Sequence, residues 1–191
     1  MKTILFVTLL LFSSLNTIVL ASEEKCSAFD IKCKAKKFAK DTADFQKKGL
    51  KKKHAKICSK AIINAELVGA HSHGLARVVM YCERIKKKLI NPKPKIKIKK
   101  ISSSISFIDA NNSIGFVAAD IGIKQAIINA KKTGISLVGI KNSGHFGLSG
   151  YYVEQAVKKN LIAMCFTNAP PAIAPYGAKK VYLEPIQFVL D

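Results

Sequence analysis

Apolar strands and amphipathic helices alternate between residues 105 and 167, and this alternation constrains the fold more than any other feature of the chain. The run "ISLVGI" (135–140) is continuously apolar, which is typical of an interior parallel strand. The helix predicted before it has an apolar face made of Phe116, Ala119, Ile123, Ala126, Ile127 and Ala130. A helix over about 151–160 and a second apolar strand, "LIAMCFT" (161–167), follow. Strand, helix and strand in this order predict a βαβ unit with a right-handed crossover, and therefore an α/β fold.

The first half of the chain is predicted to be mainly helical. Residues 35–46 form a short helix that Gly49 ends, and residues 51–68 form a longer one that Gly69 ends. Ser72 is predicted to cap a third helix. The apolar face of that third helix consists of Leu75, Val78, Val79, Cys82 and Ile85. We therefore expect N-terminal helices followed by a sheet that contains the βαβ unit.

The first 21 residues have the pattern of a secretory signal peptide. Lys2 supplies a positive start, an apolar stretch follows, and "VLA" places small side chains just before Ser22. Polar residues dilute the second half of the segment, which disfavours a transmembrane helix. We expect cleavage after Ala21, secretion, a polar cysteine-containing extension over 22–35 and one domain over 36–191.

The five cysteines fall into two groups. Cys26 and Cys33 lie in the polar extension, where we expect a local disulfide in an oxidising compartment. Cys58, Cys82 and Cys165 lie on apolar segments and are predicted to be buried thiols. The spacing of cysteines and histidines predicts no metal site.

The formal net charge is +20, with 32 Lys and Arg against 12 acidic residues. Such a balance attracts anionic surfaces without specificity. Lysine is spread along the whole chain, arginine is scarce, and no zinc-finger spacing or RNA-binding aromatic motif is present, so no specific nucleic-acid partner is expected. A content of 49% hydrophobic residues excludes a disordered chain.

The stretch "GAHSHGLAR" (69–77) is the first candidate site. His73 is predicted in the first turn of the third helix, where the exposed backbone N–H groups lower the pKa of a histidine and favour an anion beside it. A histidine at this place serves either as a proton donor or merely as a structural or solvated side chain. These residues alone leave the choice open.

The second candidate site is the loop "KNSGHFGLSG" (141–150), which leaves the carboxyl end of a predicted parallel strand. Open α/β sheets hold their ligands at that edge. The spacing of its glycines differs from the dinucleotide-binding fingerprint. The segment "TNAPPAIAPYG" (167–177) is predicted at the same edge. Both segments could equally be ordinary connections, a turn and a rigid proline-containing loop.

Taken together, "AELVGAHSHGLAR" and "INAKKTGISLVGIKNSGHFGLSGYYVEQAVKKNLIAMCFTNAPPAIAPYGAKK" resemble the malate/L-lactate dehydrogenase family, whose relatives include ureidoglycolate, sulfolactate and 2,3-diketogulonate oxidoreductases. The resemblance extends from about Lys36 to Phe188. It implies a distinct, non-Rossmann α/β fold, NAD or NADP as cofactor, a small 2-hydroxy or 2-oxo acid as substrate, and a homodimer.

The resemblance also implies roles for individual residues. His73 matches the family's S-H-G histidine, the proton donor to the substrate, and Arg77 matches the arginine that faces the substrate carboxylate. His145 matches a second active-site histidine. The other residues placed at the substrate are Ser72 and Thr167, and those placed at the cofactor are Asn142, Asn168 and Pro170.

Three features depart from the family pattern. His71 stands where the family usually has Asp, "LEPIQF" (183–188) replaces a G-T-N-P segment, and the sequence stops at Asp191 where relatives continue. We therefore expect a domain that is incomplete relative to the family. One interpretation is a 2-hydroxyacid dehydrogenase by descent in shortened, secreted form, either active or inactive. The alternative is a noncatalytic secreted basic protein, such as an effector or a venom-like binding protein.

Overall fold

The computed structural model describes residues 31–168, 176, 177, 179, 189 and 190. Its helices are α1 (Ile31–Lys47), α2 (Lys52–Leu67), α3 (Val78–Lys86), α4 (Gly115–Thr133) and α5 (Gly150–Val157). Its strands are β1 (Lys97–Lys100), β2 (Ile105–Ser113), β3 (Leu137–Ser143), β4 (Met164–Cys165) and β5 (Val189–Leu190). The predicted signal peptide lies outside the described residues.

The first two predicted helices are confirmed, with their ends within a few residues of the expected positions. Gly49 and Gly69 follow them with φ of +94° and +78°, a left-handed conformation that few other residues adopt without strain. Thr42 donates a buried hydrogen bond of 2.9 Å to Ser59 between α1 and α2. Apolar side chains around this contact form the main core, which includes Phe45, Ala55, Cys58, Ile62, Tyr81, Ile85, Phe116 and Val117.

A three-stranded sheet in the order β1-β2-β3 lies beside this helical layer. β1 is antiparallel to β2, whereas β2 and β3 are parallel, with Ile105 opposite Leu137. α4 connects the two parallel strands, and a core of Ile108, Ala110, Ala118 and Ile140 joins it to the sheet. The α/β class is confirmed, and the βαβ unit consists of β2, α4 and β3.

The βαβ unit expected over 135–167 is not formed by the described residues. β4 has only two residues and pairs with β5 rather than with β3. Leu137 on β3 is 59% exposed, so the strand is not interior in the described part of the chain. Its apolar residues instead border an open cleft of about 610 Å³ against α4, α5 and residues 160–166. A continuous apolar run predicts a strand but does not determine which neighbours the strand has.

The predicted start of the third helix is wrong. Residues His71–His73 and Leu75–Arg77 form two 3₁₀ turns, and α3 begins only at Val78, without a side-chain cap from Ser72. Val79 is 72% exposed, because the buried face of α3 is Val78, Tyr81, Cys82 and Ile85. Steps of three and four residues counted from Val78 give this face, including Tyr81. The predicted face was counted from Leu75 and therefore contains Val79 in place of Tyr81.

The predicted thiols are confirmed, since Cys58, Cys82 and Cys165 are free and buried. Cys33 is disulfide-bonded. Cys26 lies outside the described residues, and its pairing with Cys33 stays a prediction. Among the described helices, none combines the length and apolarity that a membrane crossing requires.

Candidate functional site

A carboxylate at the end of α2 holds the segment that carries His73. Oε1 of Glu66 accepts a hydrogen bond of 2.7 Å from the Leu75 N–H. Oε2 of the same residue lies 2.7 Å from Nδ1 of His71. The Glu66 carboxylate therefore contacts both 3₁₀ turns, the first through His71 and the second through Leu75, and these two contacts lie before and after His73 in the sequence.

Gly74 joins the two turns and packs directly on this carboxylate. A Cβ at Gly74 would overlap the Glu66 side chain, closer than 3.0 Å to three of its atoms. A larger residue would have to displace Glu66 and break its bond to the Leu75 N–H. The φ of Gly74 is −93°, a value that other residues also adopt. The glycine after His73 is therefore required by the close approach of the Glu66 side chain and not by a left-handed φ.

The second element of the site is the loop over 144–149, between β3 and α5. Gly115, the first residue of α4, supports this loop because a Cβ there would overlap the carbonyl oxygens of Gly144 and His145. On the other side of the loop, Tyr152 donates a buried hydrogen bond of 2.6 Å to the Phe146 carbonyl oxygen. The backbone around His145 is therefore held from both neighbouring helices.

These two elements bring the two predicted histidines together. The rings of His73 and His145 stack with centroids 5.5 Å apart and an interplanar angle of 21°. Nδ1 of His73 lies 3.0 Å from the hydroxyl of Ser72. Nδ1 of His145 lies 2.7 Å from the hydroxyl of Tyr81 and 3.2 Å from the Gly147 N–H.

The surroundings of both histidines favour the neutral imidazole. Burial, and secondly the charge of Arg77, lowers the pKa of His73 below its ordinary value. The predicted direction is correct, but the cause is not a helix N-terminus. His145 as a residue retains surface that is exposed to solvent. Burial of the rest of the residue lowers the pKa of His145 to about 4, and the charges of His73, Arg77 and Arg84 act in the same direction.

Arg77 lies at the end of the second 3₁₀ turn and faces the same site. Its Nε donates a hydrogen bond of 2.7 Å to the Ser72 carbonyl oxygen. One terminal nitrogen lies 3.8 Å from the sulfur of Met80. The guanidinium is thus anchored through Nε to the turn that carries His73, and its terminal nitrogens can donate to a carboxylate.

The remaining predicted site residues are placed differently. Asn142 uses its side-chain amide to donate a hydrogen bond of 3.0 Å to Asp109. The Thr167 hydroxyl donates to the Asn168 carbonyl oxygen at 3.2 Å. Pro170 lies outside the described residues. The contacts of the structure therefore unite Ser72, His73, Arg77 and His145, whereas Asn142 ties together β2 and β3.

Two residues of the site were not found from the sequence. Tyr81 has one available signal, its place one helical turn after Arg77 on the buried face of α3. Glu66 has none, because its role depends on the path of the chain after α2. Within residues 31–168 no cluster of three or more metal-ligating side chains is present.

The donors of the site fit a small 2-oxo acid: two imidazoles that can give a proton or a hydrogen bond, and a guanidinium that can bind a carboxylate. Fewer of the predicted residues are available to contact a dinucleotide cofactor. Asn142 is engaged by Asp109, and Asn168 has an exposed side chain that hydrogen-bonds no other residue in the described part of the chain. Asn168 is therefore the one predicted cofactor residue that this part of the structure leaves available.

A family model described as malate/L-lactate dehydrogenase matches residues 33–186. The chain is 43% identical over 131 residues to a malate/(S)-sulfolactate dehydrogenase of Methanothermus fervidus, covering 69% of this chain and 39% of the relative. It is 35% identical over 134 residues to a ureidoglycolate dehydrogenase (NAD(+)) of Escherichia coli O157:H7, covering 70% of this chain and 38% of the relative. The chain thus spans about two fifths of the length of these relatives.

The fold of this chain is also similar to that of solved dehydrogenase structures. A sulfolactate dehydrogenase from Methanocaldococcus jannaschii superposes with a TM-score of 0.79 at 34% identity, over 82% of this chain and 46% of that chain. A malate dehydrogenase from Pyrococcus horikoshii superposes with a TM-score of 0.78 at 32% identity, over 82% of this chain and 45% of that chain. The described helices and mixed sheet are therefore arranged as in the corresponding part of these enzymes.

Proposed function

The chain belongs to the malate/L-lactate dehydrogenase family, and from this premise we propose that its site interconverts a small 2-hydroxy acid and the corresponding 2-oxo acid with NAD or NADP. The observation that supports the proposal most is the stacked pair of His73 and His145 beside Arg77. In this proposal the histidine pair supplies a proton donor and a hydrogen-bond donor, and Arg77 supplies a ligand for the substrate carboxylate. Relatives named for malate and sulfolactate suggest a substrate with a second acidic group.

The chemistry requires one proton and one hydride. A bound NADH or NADPH would supply the hydride to C2 of the 2-oxo acid in the reductive direction. Protonated His73 gives its proton to the carbonyl oxygen, so that the C=O bond becomes C–OH. Its lowered pKa makes His73 a stronger acid than a solvent-exposed histidine. In the oxidative direction neutral His73 takes the proton back.

Arg77 orients the substrate in this proposal by binding its carboxylate. The guanidinium can hold the Ser72 carbonyl through Nε and bind a carboxylate through its terminal nitrogens at the same time. It thereby sets the distance between the carbonyl oxygen of the substrate and His73. The family's non-Rossmann fold and homodimer remain part of the proposal.

Replacing Arg77 by Lys is expected to raise KM for the 2-oxo acid by about tenfold or more while kcat changes less, because an ammonium cannot form the two-pronged contact. Steady-state kinetics with the 2-oxo acid varied would measure both constants. The matched control is Arg84→Lys, a change at the chain's other arginine, on the exposed side of α3. Equal KM values for the two variants would contradict the role of Arg77.

Secretion is a separate part of the proposal and is supported by the apolar segment that ends in "VLA" before Ser22. The exported protein is expected to begin at Ser22. N-terminal sequencing of protein recovered from the culture medium of its source cell would measure this. A protein retained in the cytosol with Met1 at its start would contradict it.

Turnover tests the function itself. The purified mature chain is expected to oxidise NADH or NADPH when oxaloacetate or 3-sulfopyruvate is added, and the absorbance of the reduced cofactor would report the reaction. Oxidation that does not depend on the 2-oxo acid would contradict the proposal. So would a chain that leaves both cofactors unchanged with every 2-oxo acid supplied.

A further inference from the structure

The hydrogen bonds at His145 determine which of its nitrogens carries the proton. Nδ1 lies 3.2 Å from the Gly147 N–H, and a backbone N–H can only donate. Nδ1 must therefore present its lone pair. The Tyr81 hydroxyl, 2.7 Å from the same atom, then also donates, and the two donors share the single lone pair of Nδ1. A neutral His145 in this arrangement has its proton on Nε2.

Tyr81 is well suited to act as a permanent donor. Its side chain is 1% exposed and packs edge-on against Phe116, with ring centroids 5.0 Å apart. Burial raises the pKa of Tyr81 above its ordinary value, so the hydroxyl keeps its proton. The position of the ring in the core also fixes the direction from which the hydroxyl meets His145.

The charges around His145 oppose a second proton on its ring. The groups that act on it are His73, which stacks on it, and the guanidinium groups of Arg77 and Arg84. Each of these three groups carries either no charge or a positive one. Burial and these charges hold the pKa of His145 at about 4. Near neutral pH His145 is therefore uncharged.

We propose that Tyr81 is a positioning residue that holds His145 as the neutral Nε2–H tautomer, which makes His145 a fixed hydrogen-bond donor and leaves His73 as the histidine that exchanges the proton. The assignment of the donated bond to the substrate oxygen rests on the proposed function. The tautomer itself does not depend on turnover. Within residues 31–168 no group hydrogen-bonds Nε2 of His145, so its N–H is available to a ligand.

The test uses the full mature chain labelled with ¹⁵N-histidine, in which long-range ¹H–¹⁵N spectra distinguish the two tautomers. Wild-type His145 is expected to show Nε2–H throughout the neutral pH range. In Tyr81→Phe, which keeps the ring and removes the donor, the ratio of Nε2–H to Nδ1–H should fall by about fivefold, the worth of one net hydrogen bond. Its apparent pKa should rise, because a donor to the neutral ring is lost.

The matched control is Tyr152→Phe, which removes a hydroxyl that holds the same loop through the Phe146 carbonyl but does not contact His145. It should leave the tautomer ratio unchanged. If Tyr81→Phe does not fold, uniform 3-fluorotyrosine labelling provides a second test. The more acidic hydroxyl should donate a stronger hydrogen bond and shift the Nδ1 resonance of His145 away from its position in the unlabelled protein.

An Nδ1–H tautomer in the wild type, or equal ratios in the two variants, would overturn the proposal. Failure of the proposed function is seen separately, as an absence of cofactor oxidation in a chain whose His145 still shows the Nε2–H tautomer.

Discussion

Replacing Gly115 by Ala is expected to lower the free energy of unfolding by about 1–3 kcal/mol or more, as overpacking of a well-packed region does. The added Cβ would overlap the carbonyl oxygens of Gly144 and His145. Both are backbone atoms, so no side-chain rotation can relieve the overlap. Either α4 or the loop that carries His145 has to move. Because this loop positions one of the two histidines, the stacking distance between them should change as well.

Denaturant unfolding of Gly115→Ala would measure the loss, with Gly150→Ala as the matched control. Gly150 is likewise the first residue of a helix, but a Cβ there meets nothing within 4 Å. Alanine is preferred over glycine in helices by up to about 1 kcal/mol, so the control should be neutral or more stable. Equal midpoints for the two variants would show that α4 and the His145 loop do not approach each other as described.

His73→Ala is expected to reduce turnover by about 10²–10⁴-fold, which is the usual loss when a positioned acid or base is removed. Stability should change by about 1 kcal/mol or less, since His73 is half-buried and lies in a short turn rather than in the core. The variant should retain its fold and lose its proton donor. Rates of 2-oxo acid reduction would be compared with those of His54→Ala, a half-buried histidine on α2.

The pH dependence follows from the same residue. Reduction requires protonated His73, so its rate should rise as the pH falls through the pKa of His73. Oxidation requires the neutral ring and should change in the opposite direction. Because burial and Arg77 lower that pKa, both transitions should lie below the ordinary range of histidine. A reductive rate that increases with pH through this range would be the wrong sign for a histidine donor.

Sequence periodicity predicted the helices better than it predicted their surroundings. α1, α2 and α4 each have a regular apolar face and a glycine after the last turn, and these local signals are sufficient. The segment between α2 and α3 has no such pattern, because a carboxylate that lies outside the segment holds its two turns. The position of β3 at the edge of the sheet, in the part of the chain that the structure describes, likewise depends on pairing partners that an apolar run does not specify.

The residues of the candidate site likewise fall into a group that the sequence predicted and a group that it missed. His73, Arg77 and His145 were predicted because short motifs around them resemble a family, and the structure brings them together. Tyr81 was missed because its hydroxyl meets a residue 64 positions later. Contacts at such separations have no signature in the spacing of a single sequence. Glu66 was missed for the related reason that its two partners are one backbone N–H and one histidine in the following turns.

The departure at His71 acquires a physical interpretation from the structure. The family usually has Asp at this position, and here the ring of His71 binds the carboxylate of Glu66. Nδ1 of His71 lies 2.7 Å from Oε2 of Glu66, and the two side chains form an ion pair when His71 is protonated.

Binding of the cofactor by the mature chain is the most direct measurement of a dehydrogenase function, because it requires neither a known substrate nor a measurable rate. NADH and NADPH would be titrated into the purified chain in a calorimeter at low salt, and again at a higher salt concentration that screens the surface lysines. Saturable binding of one dinucleotide at a single site is expected, and it should persist at the higher salt. Absence of heat with both cofactors, or binding that salt abolishes for both alike, would contradict a dehydrogenase function for this chain.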